Sequence, residues 1–451
     1  MLLLLLACTR ATPAPSPAAG PPAAGPAARP PRPARGKETV LVAAPLPAPP
    51  FDGPFALGIN EAVSIPGRLL RGMTWEQQAS ELAADASLTA SLGVTLVRGH
   101  TGAYPNISQF DLARSPDLLR QADEWVKAVQ GAGLEPVGMV SPWPGNDTAS
   151  VTEHYVPSDM QAYEAYVSRI VERYDADGVE DMPGLAGAVR YWEVDNEPDL
   201  KNSTPAKSAK REYDPTLFCT PVEYAQVFLA SARAIKAANP TARVLNGGLY
   251  RPHSAQGSSY FQAFTAQAGV LDAIDIVSVH TYHDDLDGER LAIGIRNERS
   301  FAPQKPVWVT ETSLGTTEQI DEEDQARMVL TFVVRSALEG ADKLFWHTLG
   351  DPPETDATRK MPMFGHSLFR SSASGQRTVK PMGEVYRNLA GILKSHDLTG
   401  CTPDGPGAVR LKDGSVLLYE GARAVPVEGI NLRTGAALPV GADAAAPAWL
   451  R

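Results

Sequence analysis

Residues 189–198 read Val189-Arg190-Tyr191-Trp192-Glu193-Val194-Asp195-Asn196-Glu197-Pro198. The first part is β-branched and aromatic, which suits a pleated and largely buried strand, and the end turns polar and stops at a proline. The spacing predicts a strand over Val189–Asp195 that emerges into a loop carrying Glu197. Downstream, Thr220-Pro221-Val222-Glu223 is a capping box with proline at the first helical position, and apolar residues follow at helical spacing through Ala237. A second β-type run, Ala242–Gly247, comes next. Strand, helix, strand is the unit of a parallel sheet.

The same alternation extends in both directions, from Phe55 to about Leu393. The other strands are expected at Phe55–Asn60, Val94–Gly99, Glu135–Val140, Ile274–His280, Val307–Thr310 and Lys343–His347. Helices over Trp75–Leu92 and Asp117–Gln130 end at Gly93 and Gly131, as helices stopped by glycine do. Eight such strands close a (β/α)8 TIM barrel. A doubly wound open sheet competes, but no G-x-G-x-x-G follows the first strand, which disfavours its dinucleotide-binding form. After Leu393 the pattern changes. Asp413-Gly414 and Thr434-Gly435 each lie between β-type runs and predict two hairpins, a small C-terminal β module with a frayed Ala/Pro-rich end. The expected divisions are 1–8, 9–50, 51–394 (the barrel) and 395–451 (the β module).

Residues 9–50 hold 13 Pro and 12 Ala in 42 positions, a composition that cannot build a core and is expected to stay disordered and extended. Before it, Leu5-Leu6-Ala7-Cys8 resembles a bacterial lipoprotein processing box, although no basic segment precedes it and the apolar run is short. The expectation is an exported, cell-surface protein, tethered to the membrane through a lipidated Cys8. The 451-residue chain is 43% hydrophobic and 21% charged, ordinary for a globular protein. A net charge of −11 argues against a nucleic-acid partner, which would want a basic face. The three cysteines show no C-x-x-C spacing. Cys219 and Cys401 are open to either of two readings, a disulfide or two buried thiols.

In such a barrel the reactive groups lie at the C-terminal ends of the strands. Two strands end on glutamates, Glu197 after the fourth and Glu311 in Val307-Trp308-Val309-Thr310-Glu311-Thr312 of the seventh. Acetal hydrolysis needs such a pair: one carboxylic acid protonates the leaving oxygen, and one carboxylate acts at the anomeric carbon. Arg98 at the end of strand two is placed to hold Glu311 ionised, and Tyr282 to donate a hydrogen bond to it. His100 and His347 are further candidates. Trp346, at the end of strand eight, suits a sugar platform, its aromatic face stacking on pyranose C–H bonds. Trp143, Tyr104 and Tyr155 fall in loops of the same mouth. Lys201, Lys207, Lys210 and Arg211 read as a solvated loop. His280-Thr281-Tyr282-His283 is an H-x-x-H, but no H-x-H opens the first strand, so a zinc barrel is disfavoured. No cofactor or metal is expected.

Asn196-Glu197-Pro198, Ser278-Val279-His280-Thr281-Tyr282 and Thr310-Glu311 resemble the motifs of the clan A glycoside hydrolases, retaining TIM-barrel glycosidases. Val97-Arg98-Gly99-His100 is most similar to the β-xylosidase and α-L-iduronidase family of that clan. The resemblance implies Glu197 as acid/base, Glu311 as nucleophile and Asn196 as a partner of the sugar 2-hydroxyl, with Arg98, His100, His280 and Tyr282 around the substrate. It implies double displacement on a polysaccharide or glycoconjugate. The chain departs from the clan at Asp195, where a tryptophan is usual, and an inactive carbohydrate-binding barrel is the competing reading.

Overall fold

A computed structural model describes residues 50–60, 73–99, 116–142, 156–157, 159–199, 219–282, 287–351, 355, 359, 364–372, 376–426 and 428–451. Cys8, the Pro/Ala segment before residue 50, His100, Tyr104, Trp143, Tyr155, His283 and the four basic residues at 201, 207, 210 and 211 lie outside the described residues.

Eight parallel strands form the central sheet: β1 Ala56–Asn60, β2 Leu96–Arg98, β3 Glu135–Val140, β4 Tyr191–Val194, β5 Arg243–Asn246, β6 Val277–Tyr282, β7 Val307–Ser313 and β8 Ala341–His347. Hydrogen-bonded neighbours run β5-β4-β3-β2-β1-β8-β7-β6. Parallel bridges Leu245–Ile276 and Leu249–Val279 join the two ends, closing the barrel. Each expected strand is present, shifted by at most three residues at a boundary. The helices follow their signals too. The Thr220 hydroxyl accepts from the Glu223 amide at 3.2 Å while the Glu223 carboxylate accepts from the Thr220 amide at 2.8 Å, opening a helix over Pro221–Ala238. Gly93, after the helix Trp75–Ser91, takes φ +79°, the left-handed conformation that glycine adopts without a Cβ clash.

One inward side chain from each strand, or from its immediate approach, fills the barrel floor: Ala56, Leu96, Val137, Tyr191, Leu245, Ile276, Trp308 and Phe345. Strand side chains alternate faces. Gly58, two residues after Ala56, faces inward by the same rule: a Cβ there would lie 2.5 Å from the Phe345 ring, so only glycine lets that ring plug the barrel. Two residues beyond the floor, the inward positions become polar (Arg98, Glu193, Ser278, Thr310 and His347), and that layer is the bottom of the barrel mouth.

The C-terminal residues differ from expectation in extent. Both hairpins form, Ala408–Arg410 with Val416–Leu418 and Gly429–Asn431 with Ala437–Leu438. The last residues are not frayed. Ala448–Leu450 is inserted between the hairpins as a central strand of a six-stranded sheet, its three side chains buried. Apolar Trp449 and Leu450 gain more from that groove than from water. Cys219 and Cys401 are both buried thiols rather than a disulfide. Among the described residues no helix is long and apolar enough to cross a membrane.

The helix Glu289–Phe301 carries a buried acid, Glu298, whose two carboxyl oxygens have no hydrogen-bond partner among the described residues. Burial, with the charge of Asp199 added, pushes this carboxyl well above its usual range. A folded-state value raised above the unfolded one stabilises fully at low pH and loses that contribution as pH rises past the unfolded value. Glu298→Gln is therefore expected to be more stable than wild type by a margin that widens above about pH 4.5, by at most about 1.4 kcal/mol per pH unit. Urea midpoints of both proteins at pH 4, 6 and 8 measure it; a margin that stays constant would contradict the account.

Candidate active site

The strand ends bring five ionisable side chains into one buried cluster. Arg98 on β2 is wholly buried and acts as its hub. Its Nε donates to Glu193 Oε2 at 2.5 Å, Nη1 to Glu311 Oε2 at 3.1 Å and to Asn60 Oδ1 at 3.0 Å, and Nη2 to Asn196 Oδ1 at 2.9 Å. Four strands are tied by one guanidinium, whose fork of donors makes this geometry available to arginine and not to lysine. Burial opposes the Arg98 charge, but the Glu193 and Glu311 carboxylates more than restore it.

Glu311 is 4% exposed and points into the mouth from β7. Its register there depends on an irregularity. The pairing between β6 and β7 slips by one residue after Val279, so that His280 lies opposite Glu311 instead of Thr310. Asn60 Nδ2 donates to Glu311 Oε2 at 2.8 Å, and the Tyr282 hydroxyl donates to Oε1. Three donors thus fix both oxygens, and each favours the anionic form.

Glu197 reaches the same gap by a different route. β4 ends at Val194, and the chain then takes left-handed φ at Asp195 (+66°) and Glu197 (+48°), a costly conformation for residues with a Cβ. The Glu197 amide is held by the Gly248 carbonyl at 3.1 Å, and the carboxyl, in a residue 8% exposed, turns to His280. His280 Nδ1 lies 3.3 Å from Glu197 Oε1 and 3.9 Å from Glu311 Oε2. Its Nε2 faces Glu193 Oε1 at 3.8 Å. Burial alone would strip the proton from His280. The Glu311 charge and the close approach of Glu193 and Glu197 outweigh that and raise it to about 9, so the ring is a cation at neutral pH. Gly248 makes room for it: a Cβ there would stand 2.2 Å from the imidazole.

Glu193 is the residue that sequence reading passed over. It is wholly buried and accepts from Arg98, from the Gly248 amide at 3.1 Å and from the Ser278 hydroxyl at 2.9 Å. Burial pushes its carboxyl up, but the charge and hydrogen bond of Arg98 and the nearby His280 prevail and hold it down at about 2. The signal was present: Glu193 stands two residues after the floor residue Tyr191, as Arg98 stands two after Leu96.

Trp346 is a correction. On β8 the alternation puts Phe345 and His347 inward and Trp346 outward, where it is wholly buried. Its ring packs on Phe332 and Tyr386 of the surrounding helices, and its Nε1 donates to the His366 carbonyl at 2.9 Å. It cannot stack on a sugar. The side chain facing the site from β8 is His347, 3.1 Å from Asn60 Nδ2 and edge-on to the Tyr282 ring. Asp195, at the position of departure from the clan, is also wholly buried and accepts from the Ser141 hydroxyl at 2.8 Å.

Among the described residues, two trios of possible ligand groups gather within 4.8 Å: Glu197, His280 and Glu311, and the more exposed Glu172, Asp175 and Asp177. A ligating imidazole must be neutral. An ion held by the inner trio would have to displace the His280 proton.

Comparison with known proteins agrees with the barrel fold. Residues 190–354 match the family described as glycosyl hydrolase catalytic core, and residues 96–268 match glycoside hydrolase family 44. The chain carries a glycoside hydrolase core. The hydrolase barrel is similar in fold to a family 39 glycoside hydrolase from Bacteroides cellulosilyticus WH2, at 16% identity over 88% of this chain and 80% of that one, TM-score 0.57. It is also similar to a glucosidase from Croceicoccus marinus, at 16% identity over 87% and 82%, TM-score 0.55. A family 39 β-xylosidase from Caulobacter crescentus aligns at 20% identity over 85% and 80%, TM-score 0.51. A search of curated protein sequences finds no match.

The corrected place of Trp346 makes a distinction that a sugar platform would not. Trp346→Ala is expected to cost about 3–5 kcal/mol of stability, and Trp346→Phe to lower Tm while leaving KM for any substrate within twofold. Calorimetry and steady-state kinetics on both variants check it; a KM raised tenfold with Tm unmoved would restore the platform.

Proposed function

We propose that this hydrolase cleaves the O-glycosidic bonds of a polysaccharide or glycoconjugate by double displacement, with retention of anomeric configuration. One observation carries the reading: Glu197 and Glu311 present carboxylate oxygens within 4.8 Å of each other across a single gap, with His280 between them. Retaining glycosidases separate their two carboxyl groups by about 5–5.5 Å, inverting ones by about 6.5–9.5 Å to admit a water. The family matches and the glycosidases of the same fold support the reaction class.

In the first step Glu311 attacks the anomeric carbon while the proton of Glu197 passes to the departing oxygen. The anionic form of Glu311 is prepared by Asn60, Arg98 and Tyr282, so its charge is oriented before the sugar arrives. In the second step water attacks the same carbon, Glu197 takes its proton, and the bond to Glu311 breaks with the electron pair returning to the carboxylate. Asn196, held through its Oδ1 by Arg98, keeps its amide N–H groups for a sugar hydroxyl.

The test is a panel of aryl glycosides and polysaccharides. Glu311→Gln is expected to lose turnover on every substrate. Glu197→Ala is expected to lose about 10²–10⁴-fold on poor leaving groups and far less on activated aryl glycosides, which leave without a proton. Proton NMR of the first-formed sugar reads the stereochemistry. An inverted anomer would overturn double displacement, and binding without turnover by the wild type would favour the carbohydrate-binding reading.

A further inference from the structure

The cluster holds one more acid than double displacement requires. Glu193 touches no open surface and is enclosed by Arg98, Ser278, the Gly248 amide and His280, so it cannot meet a substrate. A buried carboxylate is expensive to keep unless its charge has a purpose or a partner. A count of charges supplies the purpose, and it rests on the double-displacement reading above.

Double displacement starts with the transferable proton on Glu197. The charged groups are then Glu193 and Glu311, both negative, and Arg98 and His280, both positive. After the first step Glu311 is bonded to sugar and neutral, and Glu197 has given its proton to the leaving oxygen. The charged groups are now Glu193 and Glu197, against the same two cations. Two anions face two cations in both states. Without Glu193 the cluster would carry an unbalanced positive charge throughout.

We propose that Glu193 is a positioning residue, a fixed buried anion that keeps Arg98 aligned and His280 cationic so that the site stays charge-balanced while negative charge moves from Glu311 to Glu197. His280 is the detector of this device, because charged groups from three other strands and the loop after β4 bear on it. Glu193 and Glu197 come from β4 and its loop, Glu311 from β7 and Arg98 from β2. Tyr282 lies on its own strand and meets Glu311, while His347 on β8 lies against Asn60, which donates to Glu311. Glu193 is the one acid in that set that neither transfers a proton nor bonds to sugar, so it holds the balance whatever state the other two are in. Conversely, with Glu193 neutral, the excess positive charge favours loss of the His280 proton.

The test is a nitrogen-15 NMR titration of the histidine rings in the full chain, with His280 assigned by comparison with His280→Gln. The wild-type ring is expected to stay cationic from pH 5 to pH 8, and in Glu193→Gln it is expected to titrate within that window. A neutral wild-type ring at pH 7 overturns the proposal without any variant, so a Glu193→Gln protein that failed to fold would not shelter it. A ring still cationic at pH 8 in folded Glu193→Gln overturns it as well. In kinetics, the alkaline limb of kcat/KM for Glu193→Gln is expected to move down by about one pH unit or more, with kcat reduced and KM little changed, and Glu193→Asp to bring the limb back towards wild type. A pure loss of rate with an unmoved profile would make Glu193 merely structural. If the wild type hydrolyses no glycoside, the double-displacement reading fails while the NMR arm still reports on the charge of His280.

Discussion

Arg98 is the interaction on which the rest of the site depends. Its guanidinium, wholly enclosed, bonds Glu193, Glu311, Asn60 and Asn196 at once. Those partners come from β4, β7, β1 and the loop after β4, so one side chain fixes the relative height of strand ends far apart in the chain. Breaking a buried pair leaves a charge with nothing to oppose it, a loss of about 3–5 kcal/mol in comparable cases. The same bonds that stabilise the barrel mouth orient the acid at Glu311. Stability and chemistry are therefore not separable at this position.

The site has its depth because strand side chains alternate. The apolar floor from Ala56 to Phe345 excludes water below the cluster, and the next inward layer sits in a low-dielectric cup where charges act strongly on one another. In such a cup Glu193 can be held near 2 while His280 is held near 9, each by the charges opposite it. Departures from regular geometry occur where chemistry needs them. The register slip between β6 and β7 brings Glu311 opposite His280, left-handed φ at Glu197 turns that residue inward, and Gly248 leaves space for the imidazole.

Much of this was legible from residue order. Capping boxes, glycine stops and β-type runs gave eight strands at the observed places, because those signals act locally. Arg98, Asn196, Glu197, His280, Tyr282 and Glu311 were each visible at strand ends, and the fold brings them within hydrogen-bonding or ion-pair reach of one another. What was hidden depended on face. Trp346 and His347 are neighbours, and only the parity set by Phe345 on the floor shows that the tryptophan points to the helices. Glu193 was hidden for the same reason, an acid inside a hydrophobic strand whose inward direction follows from Tyr191. The central strand Ala448–Leu450 was concealed by composition, since an Ala/Pro-rich end reads as loose until the groove between two hairpins is known to await it.

The claim that matters most is that Glu311 bonds to sugar in the gap it shares with Glu197. Incubation with a panel of 2-deoxy-2-fluoro glycosides bearing activated leaving groups should trap the bonded state, because the fluorine slows the second step more than the first. Intact mass spectrometry followed by peptide mapping then reads the result. The account predicts a mass gain of one fluorosugar residue carried on the peptide containing Glu311. The same label on Glu197 or Glu193 would contradict it, and so would wild-type turnover of the parent glycosides that gives an inverted product and no labelled protein.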